Sequence, residues 1–280
     1  MLTTLKKLLQ YLEDNLDEQK IRSSEKLHQA ALSWQNIPRL PVIASYPYPE
    51  NADFLPYPHR QALEDPEKML FNQLVSSFDT SIYLNKSVGD DLPLSVRADF
   101  GCVLIPSMFG AKVEQVEDNH PWIRHDKNNI TCESITKKSS ADFNMDLISK
   151  AASFYRIFNK ILDNYTKLSE LLNVTLPDLQ GPFDNLELIR VSQIFLDMQL
   201  HKKDFLEAMF TVTGAQIEIA NFFQSVTREI QKGYSHQHGF PHKGGILIRN
   251  DTSIMVSPKM YREMIAPFDK QILTLLGGGI

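Results

Sequence analysis

The segment from Val174 to Asp184 constrains the fold of this chain more than any other stretch. It reads VTLPDLQGPFD, and a long amphipathic helical pattern precedes it while a second helical pattern follows it. A short apolar run therefore passes into polar residues and then into Gly-Pro, the order expected for helix, strand, loop and helix. In parallel α/β sheets and barrels, ligands bind at the carboxyl ends of the strands. The segment thus predicts an α/β chain with a ligand pocket at this edge of its sheet.

Short apolar runs followed by helical patterns recur along the chain, which is typical of strands that alternate with helices. We expect strands within residues 37–45, 92–101, 118–123, 174–184 and 245–251. These runs are mostly continuous rather than alternating, which favours a parallel sheet with helices packed on its outside. No GxGxxG motif follows a strand, so a barrel explains the pattern better than a doubly wound sheet does.

We therefore predict an α/β fold of the TIM-type (β/α)8 barrel class with an N-terminal helical extension. The helical extension covers residues 1–36 and the barrel covers residues 37–280. Only about five strands precede the end of the chain at Gly277-Gly278-Gly279-Ile280, where a sixth strand would begin. We accordingly expect the barrel to be truncated, with its C-terminal strands missing. The N-terminal helices are interpreted as a packing layer or as the surface of a homodimer.

Composition excludes several classes of partner. The net charge is -5 and there is no excess of basic residues, which argues against nucleic acid or an anionic membrane surface as the main partner. No apolar run is long enough for a signal peptide or a membrane span, so a cytoplasmic location is expected. Cys102 and Cys132 lie far apart without CxxC spacing, which indicates reduced structural thiols.

Three acidic residues near expected strand ends are candidates for a pocket. Asp251 follows Arg249 and Asn250. One hypothesis is that its carboxylate orients a substrate, and the alternative is that it occupies a turn without a functional role. Asp99 alternates with Arg97 along its strand, so both side chains share a face, and either they contact a ligand or they form an ion pair with each other.

Asp178 and Gln180 also alternate to one face if the strand extends that far. Gly181 would allow a ligand to approach the backbone closely, and Pro182 suits the first turn of the next helix. The alternative is a tight turn without a functional role.

Three histidines, His236, His238 and His242, fall within seven residues. The spacing admits a metal cluster. Because no further ligands are supplied by regular structure, we interpret the segment as a polar loop over the pocket, in which His238 contacts the substrate.

Taken together, these residues resemble the uroporphyrinogen decarboxylase superfamily, which also contains cobalamin-dependent methyltransferases that serve coenzyme M and related acceptors. The resemblance rests on three ordered segments, which are Arg97–Gly101 with Pro106–Gly110, Asp178–Pro182, and Asn250–Ser253 followed by Ser257–Tyr261 and Pro267. It extends from about Ile37 to the end, and it implies a TIM-type barrel. It also implies catalytic roles for Asp99 and Asp251, and substrate binding by Arg97, Asp178, Gln180, Gly181, His238 and Arg249.

The branch of the superfamily decides the expected chemistry. Uroporphyrinogen decarboxylases hold eight substrate carboxylates with an arginine-rich N-terminal loop, whereas this chain offers there only His59-Arg60-Gln61-Ala62. We therefore expect methyl transfer between a corrinoid and a thiol-type acceptor, the corrinoid being free or bound to a partner protein. The resemblance implies zinc as a cofactor, with ligands expected beyond residue 280 and none assigned within the chain. The alternatives are uroporphyrinogen decarboxylation, which needs no cofactor, and a non-catalytic barrel that binds a corrinoid or another small molecule.

Overall fold

A computed structural model shows a mostly helical α/β chain. It describes residues 1–44, 53–78, 90–124, 129–230, 233–237 and 239–279. The chain divides into two compact units. The first unit comprises Met1–Asp99, Ser153–Leu176 and Val226–Lys243, and the second comprises Phe100–Ala152, Pro177–Ser225 and Gly244–Ile280.

Helices account for most of the regular structure. The α-helices are α1 Thr3–Asn15, α2 Glu18–Leu32, α3 His59–Glu64, α4 Pro66–Ser77, α5 Leu104–Met108, α6 Cys132–Thr136, α7 Asp146–Leu162, α8 Thr166–Leu171, α9 Pro182–Arg190, α10 Gln193–Leu200, α11 Lys202–Gln224, α12 Pro258–Met260 and α13 Ala266–Leu276. Two 3₁₀ turns cover Ser140–Asp142 and Asp251–Met255, and a π-helical turn at Tyr261–Ile265 leads into α13.

The strands are short and pair two by two. They are β1 Ser95–Val96, β2 Val113–Glu114, β3 Trp122–Ile123, β4 Asn173–Val174, β5 Tyr234–Gln237, β6 Phe240–Lys243, β7 Ile246–Leu247 and β8 Gly278–Gly279. The pairs β1–β4 and β7–β8 are parallel, while β2–β3 and β5–β6 are antiparallel.

The first unit is held together by the apolar faces of its helices. In α1, Leu5, Leu8, Leu9 and Leu12 recur at helical spacing and are all buried. Helix α4 begins at Pro66, and the Asp65 side chain caps it by accepting the Glu67 backbone N–H. This helix packs against β1, which pairs in parallel with β4, so that the carboxyl ends of both strands lie at one edge.

The second unit is organised around the long helix α11. It packs against α6, α9, α10 and α13, and it buries residues such as Phe205, Met209 and Phe223. Helix α9 follows the Gly181-Pro182 step and contacts the 3₁₀ turn that begins at Asp251. These contacts fix the loop before α9, which lies within the segment Val174–Asp184.

The prediction of an α/β chain is confirmed, whereas the TIM-type barrel is not. The described residues contain four separate two-stranded sheets rather than one continuous sheet. Residues 37–44 form no strand, because Pro38 and Pro41 lack the N–H that a sheet needs, and Ser45 lies outside the described residues. The domain boundary at residues 36/37 stays a prediction.

Two further expectations about the elements differ from the structure. The histidine segment, expected as a loop, forms the hairpin β5–β6, whose Gly239 has a φ of 76°, a backbone conformation that glycine adopts readily. The apolar spacing after Thr213 predicts a helix as far as Gln231, whereas α11 ends at Gln224. No helix in the described ranges has the length and apolar character needed to cross a membrane.

Candidate functional site

A cavity of 380 Å³ lies in the first unit, at the carboxyl ends of the parallel strands β1 and β4. Arg97 and Asp99, which follow β1, and Thr175, which follows β4, contribute to its wall. Gly239 and Phe240 of the β5–β6 hairpin line it as well. The volume is near the lower end of the range of about 300–1,000 Å³ typical of small-molecule pockets. Two sequence-predicted site residues therefore line a cavity suited to a small ligand.

Arg97 and Asp99 form an ion pair within this wall. Arg97 Nη2 lies 3.1 Å from both carboxylate oxygens of Asp99, and the two side chains are 14% and 15% exposed. Their backbone is fixed by α4, since the Arg97 N–H donates to Gln73 Oε1 at 3.2 Å and the Asp99 N–H lies 3.2 Å from Met69 Sδ. The ion pair that the alternation along β1 allowed is thus present, and it lies on the cavity surface.

The backbone on the β4 side of the cavity is also fixed. The Tyr155 hydroxyl donates to the Thr175 carbonyl oxygen at 2.7 Å, and burial of Tyr155 raises the pKa of that hydroxyl. A tyrosine so buried stays protonated and acts as a permanent hydrogen-bond donor.

Behind the hairpin, His236 lies between two carboxylates of the same unit. Its Nδ1 is 3.0 Å from Glu229 Oε2, and its Nε2 is 3.3 Å from Glu25 Oε1. Burial lowers the pKa of His236, but the two carboxylates outweigh this effect and raise the pKa to about 9. His242 on the neighbouring strand has the opposite shift, because burial and then the charge of His236 lower its pKa to about 4. The pair β5–β6 therefore carries one charged and one neutral histidine near pH 7.

In the second unit, the loop before α9 carries a buried polar network. Asp178 is 4% exposed, and its Oδ2 accepts from Arg249 Nη2 at 2.6 Å. Its Oδ1 accepts from the Gln180 side-chain amide at 3.0 Å and from the Gln180 backbone N–H at 3.2 Å. The structure therefore brings together three residues that the sequence predicts for the site.

Gln180 adopts an uncommon backbone conformation for a residue other than glycine. Its φ is 54°, in the left-handed region, and its carbonyl oxygen accepts from Gln216 Nε2 at 2.8 Å. Asn185 donates to Gln216 Oε1 at 3.1 Å and to the Leu179 carbonyl oxygen at 2.8 Å. Fully buried amides of α9 and α11 thus hold the strained loop in place, as is common at functional sites.

Gly181 packs directly against the segment that carries Arg249. A Cβ at Gly181 would lie 2.0 Å from Asn250 Oδ1 and 2.8 Å from the Arg249 carbonyl oxygen. Asn250 in turn donates to Asp269 Oδ2 at 2.6 Å. The role expected for Gly181 was close approach of a ligand, and the structure shows close approach of another part of the chain.

Asp251 is exposed and begins a 3₁₀ turn, as the turn alternative for this residue proposed. Its backbone N–H donates to Asp184 Oδ2 at 2.7 Å, and the Thr252 N–H donates to Asp184 Oδ1 at 3.0 Å. Burial raises the pKa of Asp184 to about 6, although these N–H groups oppose the rise. Asp184 is thus a buried carboxylate that titrates near neutral pH.

The predicted grouping of Asp99 with Asp178 and Asp251 in one pocket combines residues of the two units, and it stays a prediction. His238 lies outside the described residues. Sequence reasoning missed Gln73, Asn185 and Gln216, which hold the two loops. The sequence signal for Gln216 is an amide side chain at a position that the helical pattern of α11 predicts to be buried. This signal is weak, because the sequence does not show which group the amide binds.

The described part of the chain contains no group of three or more His, Cys, Asp or Glu side chains placed to hold a metal ion. Cys102 and Cys132 are free thiols. Burial, followed by the charge of Asp178, raises the pKa of Cys102 to about 11, so this thiol stays protonated at neutral pH.

Comparison with known proteins shows a similarity of fold to a solved structure. No protein-family model and no curated protein sequence matches this chain. Among solved structures, a methyltransferase from Methanosarcina mazei is similar, with a TM-score of 0.61 and 13% sequence identity over 88% of this chain. The chain spans 65% of the length of that structure. At this identity the similarity concerns the fold alone, and this chain is a mostly helical α/β protein whose fold is similar to that of this methyltransferase.

Proposed function

We propose that this chain is an enzyme resembling the uroporphyrinogen decarboxylase superfamily, which transfers a methyl group between a corrinoid and a thiol-type acceptor. The observation that carries the proposal is the likeness in fold to the methyltransferase from Methanosarcina mazei, with a TM-score of 0.61. The cavity at the carboxyl ends of β1 and β4 supports it, because this is where a TIM-type barrel binds its substrate.

In the proposed reaction, the sulfur of the acceptor forms a bond to the methyl carbon of the donor. The bond between that carbon and the corrinoid breaks, its electron pair remains on the corrinoid, and the thiol proton passes to solvent. The corrinoid is a substrate in this scheme, supplied free or by a partner protein. The chain's own residues bind and orient the acceptor.

Arg97 and Asp99 are the residues we assign to the acceptor, because both line a cavity of 380 Å³ that suits a small molecule. Within the second unit, substrate binding by Asp178, Gln180, Gly181 and Arg249 and a catalytic role of Asp251 stay proposals. Asp178 is buried and pairs with Arg249, whose side chain is 30% exposed, and Asp251 is exposed at the start of its turn. His238 keeps its expected substrate contact as a proposal.

Zinc would bind the acceptor sulfur and favour its thiolate form. The donor set of the described residues does not fit such a site, since no group of three or more of their His, Cys, Asp and Glu side chains is placed to hold a metal ion. We therefore assign zinc to no residue in those ranges, and none of the proposed contacts depends on it.

The test is demethylation of methylcobalamin by the protein in the presence of zinc and a series of thiols, followed by absorbance. We expect thiol-dependent demethylation, and we expect Asp99→Asn to slow it about 10- to 100-fold, the usual effect of losing a hydrogen bond to a charged group. Arg22→Gln is the matched control, because the Arg22–Glu18 pair is 43% and 51% exposed on α2. Folded protein without any thiol-dependent demethylation would refute the proposal, and release of CO2 from uroporphyrinogen would replace it with decarboxylation.

A further inference from the structure

The charges on the wall of the cavity limit which small molecules it can accept. Among the described residues that line it, Arg97 carries the positive charge and Asp99 carries the negative charge. The remaining polar groups are neutral, and they include Gln73 and the hydroxyls of Ser76 and Thr175. The described wall is thus neutral in total but strongly dipolar.

The two charges are held at fixed positions. Both side chains are largely buried, and the guanidinium Nη2 is 3.1 Å from each oxygen of the carboxylate. Gln73 and Met69 of α4 hold the backbone N–H groups of the same two residues. A ligand therefore meets a preorganised dipole, and it does not have to order flexible side chains on binding.

We infer that the cavity binds a small zwitterion, in which an ammonium and a carboxylate or another acid group lie a few atoms apart. This inference rests on the proposed function, and it identifies the methyl acceptor as a zwitterionic thiol. The acid group of the ligand accepts hydrogen bonds from the Arg97 guanidinium, whose planar array of donors suits a carboxylate. The ammonium donates to the Asp99 carboxylate. The ligand dipole then lies antiparallel to the Arg97–Asp99 dipole.

Ligands with a single sign of charge fit this wall less well. An anion gains the contact with Arg97 but brings a second negative charge close to Asp99, and a cation has the converse problem with Arg97. Both penalties increase in a largely buried site, where the effective dielectric constant is low. A polyanion such as a tetrapyrrole with eight carboxylates requires several cations, and the described wall supplies Arg97. A zwitterion satisfies both wall charges at once.

The experiment is calorimetric titration of the whole protein with three matched thiols, without any methyl donor. Homocysteine carries both charges, mercaptobutyrate lacks the amine, and aminopropanethiol lacks the carboxylate. We expect homocysteine to bind at least about 10-fold more tightly than either analogue, since each lost group removes one charge-assisted hydrogen bond. If either analogue binds as tightly as homocysteine, the inference is wrong.

Single variants test separately whether Asp99 recognises the ammonium of the ligand and whether Arg97 recognises its carboxylate. Asp99→Asn should bring homocysteine to the affinity of mercaptobutyrate, and Arg97→Gln should bring it to that of aminopropanethiol. The double variant with both changes removes both members of the ion pair together, so it tests the site even if a single variant fails to fold. It should bind the three thiols equally, and a preference for homocysteine that survives in it would overturn the inference. Arg22→Gln should keep the preference.

The same measurements separate this inference from the proposed function. Demethylation of methylcobalamin that proceeds equally well with all three thiols overturns the zwitterion selectivity and leaves methyl transfer standing. Selective binding of homocysteine without its methylation supports the zwitterion site and overturns methyl transfer.

Discussion

Replacing Gly181 by alanine tests whether the loop before α9 packs as tightly as the structure indicates. The added Cβ would lie 2.0 Å from Asn250 Oδ1 and 2.8 Å from the Arg249 carbonyl oxygen. The backbone φ of Gly181 is -99°, which any residue adopts, so the cost comes from displacement and not from backbone strain. Since one of the two close atoms belongs to the backbone, a side-chain rotation alone cannot relieve the contact.

The expected magnitude follows from what the displaced asparagine now does. Asn250 donates to the carboxylate of Asp269, a residue with 0% exposure, and a hydrogen bond to a charged group contributes about 1.5–3 kcal/mol. The Tyr261 hydroxyl also donates to this carboxylate, so that it keeps one partner. Alanine also reduces the conformational entropy of the unfolded chain, which stabilises the folded state by about 0.4–1 kcal/mol and partly offsets this loss. We therefore expect Gly181→Ala to lower the free energy of unfolding by about 2 kcal/mol and the melting temperature by about 4–8 °C.

Gly214→Ala is the matched control within the same unit. Gly214 lies in the interior of α11, and no heavy atom lies within 4 Å of its ideal Cβ. Because alanine favours helix over glycine by about 1 kcal/mol, this variant should gain stability. Urea denaturation followed by circular dichroism compares the two variants directly. Equal stability of the two alanine variants would show that Gly181 does not approach Asn250 closely, and the reasoning about this loop would be refuted.

Three further changes test the charged groups. His236→Gln should remove a stabilisation of about 3 kcal/mol, which corresponds to a rise in pKa from 6.5 to about 9 and is fully present below pH 6.5. Denaturation at several pH values should show this difference in free energy of unfolding between wild type and variant disappear as the pH rises through 9. A difference that does not change with pH would contradict the prediction, and so would an equal effect of His201→Gln, since His201 lies on the surface. Asp184, whose pKa rises from 3.8 to about 6, binds its proton more tightly in the folded state, so the wild type should lose stability as the pH increases from 3.8 to 6. Asp184→Asn should lack that slope, and a retained slope would assign it to another group. Arg249→Leu should cost about 3 kcal/mol or more, because it leaves Asp178, 4% exposed, without its cation; denaturation unchanged from the wild type would show that the pair is not formed.

The strands that precede polar turns could be predicted from the sequence, because a short apolar run that ends in polar residues indicates a buried strand followed by a turn. The patterns over residues 92–101 and 174–184 predict strands, and the structure places β1 within the first range and β4 at the start of the second, where the two strands pair in parallel. The alternation of Arg97 with Asp99 also predicted that their side chains share a face, and the structure shows the ion pair, one of the two alternatives left open. The two residues of this ion pair lie two positions apart along the chain, and each strand follows from the apolar pattern of its own residues.

What the sequence could not reveal depends on partners far away in the chain. His236 gained its two carboxylates from Glu25 and Glu229, and only the folded chain brings Glu25 to it across more than half of the sequence. The hairpin was interpreted as a loop because polar histidines, Gly and Pro are typical of loops, whereas burial against α2 stabilises it as β5–β6. Gln216 is similar, since its role in holding the Gln180 carbonyl depends on the packing of α11.

The ion pair between Arg97 and Asp99 does not by itself exclude a binding role for these residues. A largely buried pair contributes little net stability, because the cost of removing two charges from water offsets their attraction. Apolar residues in the same positions would stabilise the fold about as well, so stability alone does not explain charged residues on a cavity wall. The pair instead lies at the carboxyl ends of two parallel strands, with its backbone fixed by α4. A preorganised dipole at that edge is useful to a ligand, and this favours the binding interpretation of Arg97 and Asp99 over the purely structural one.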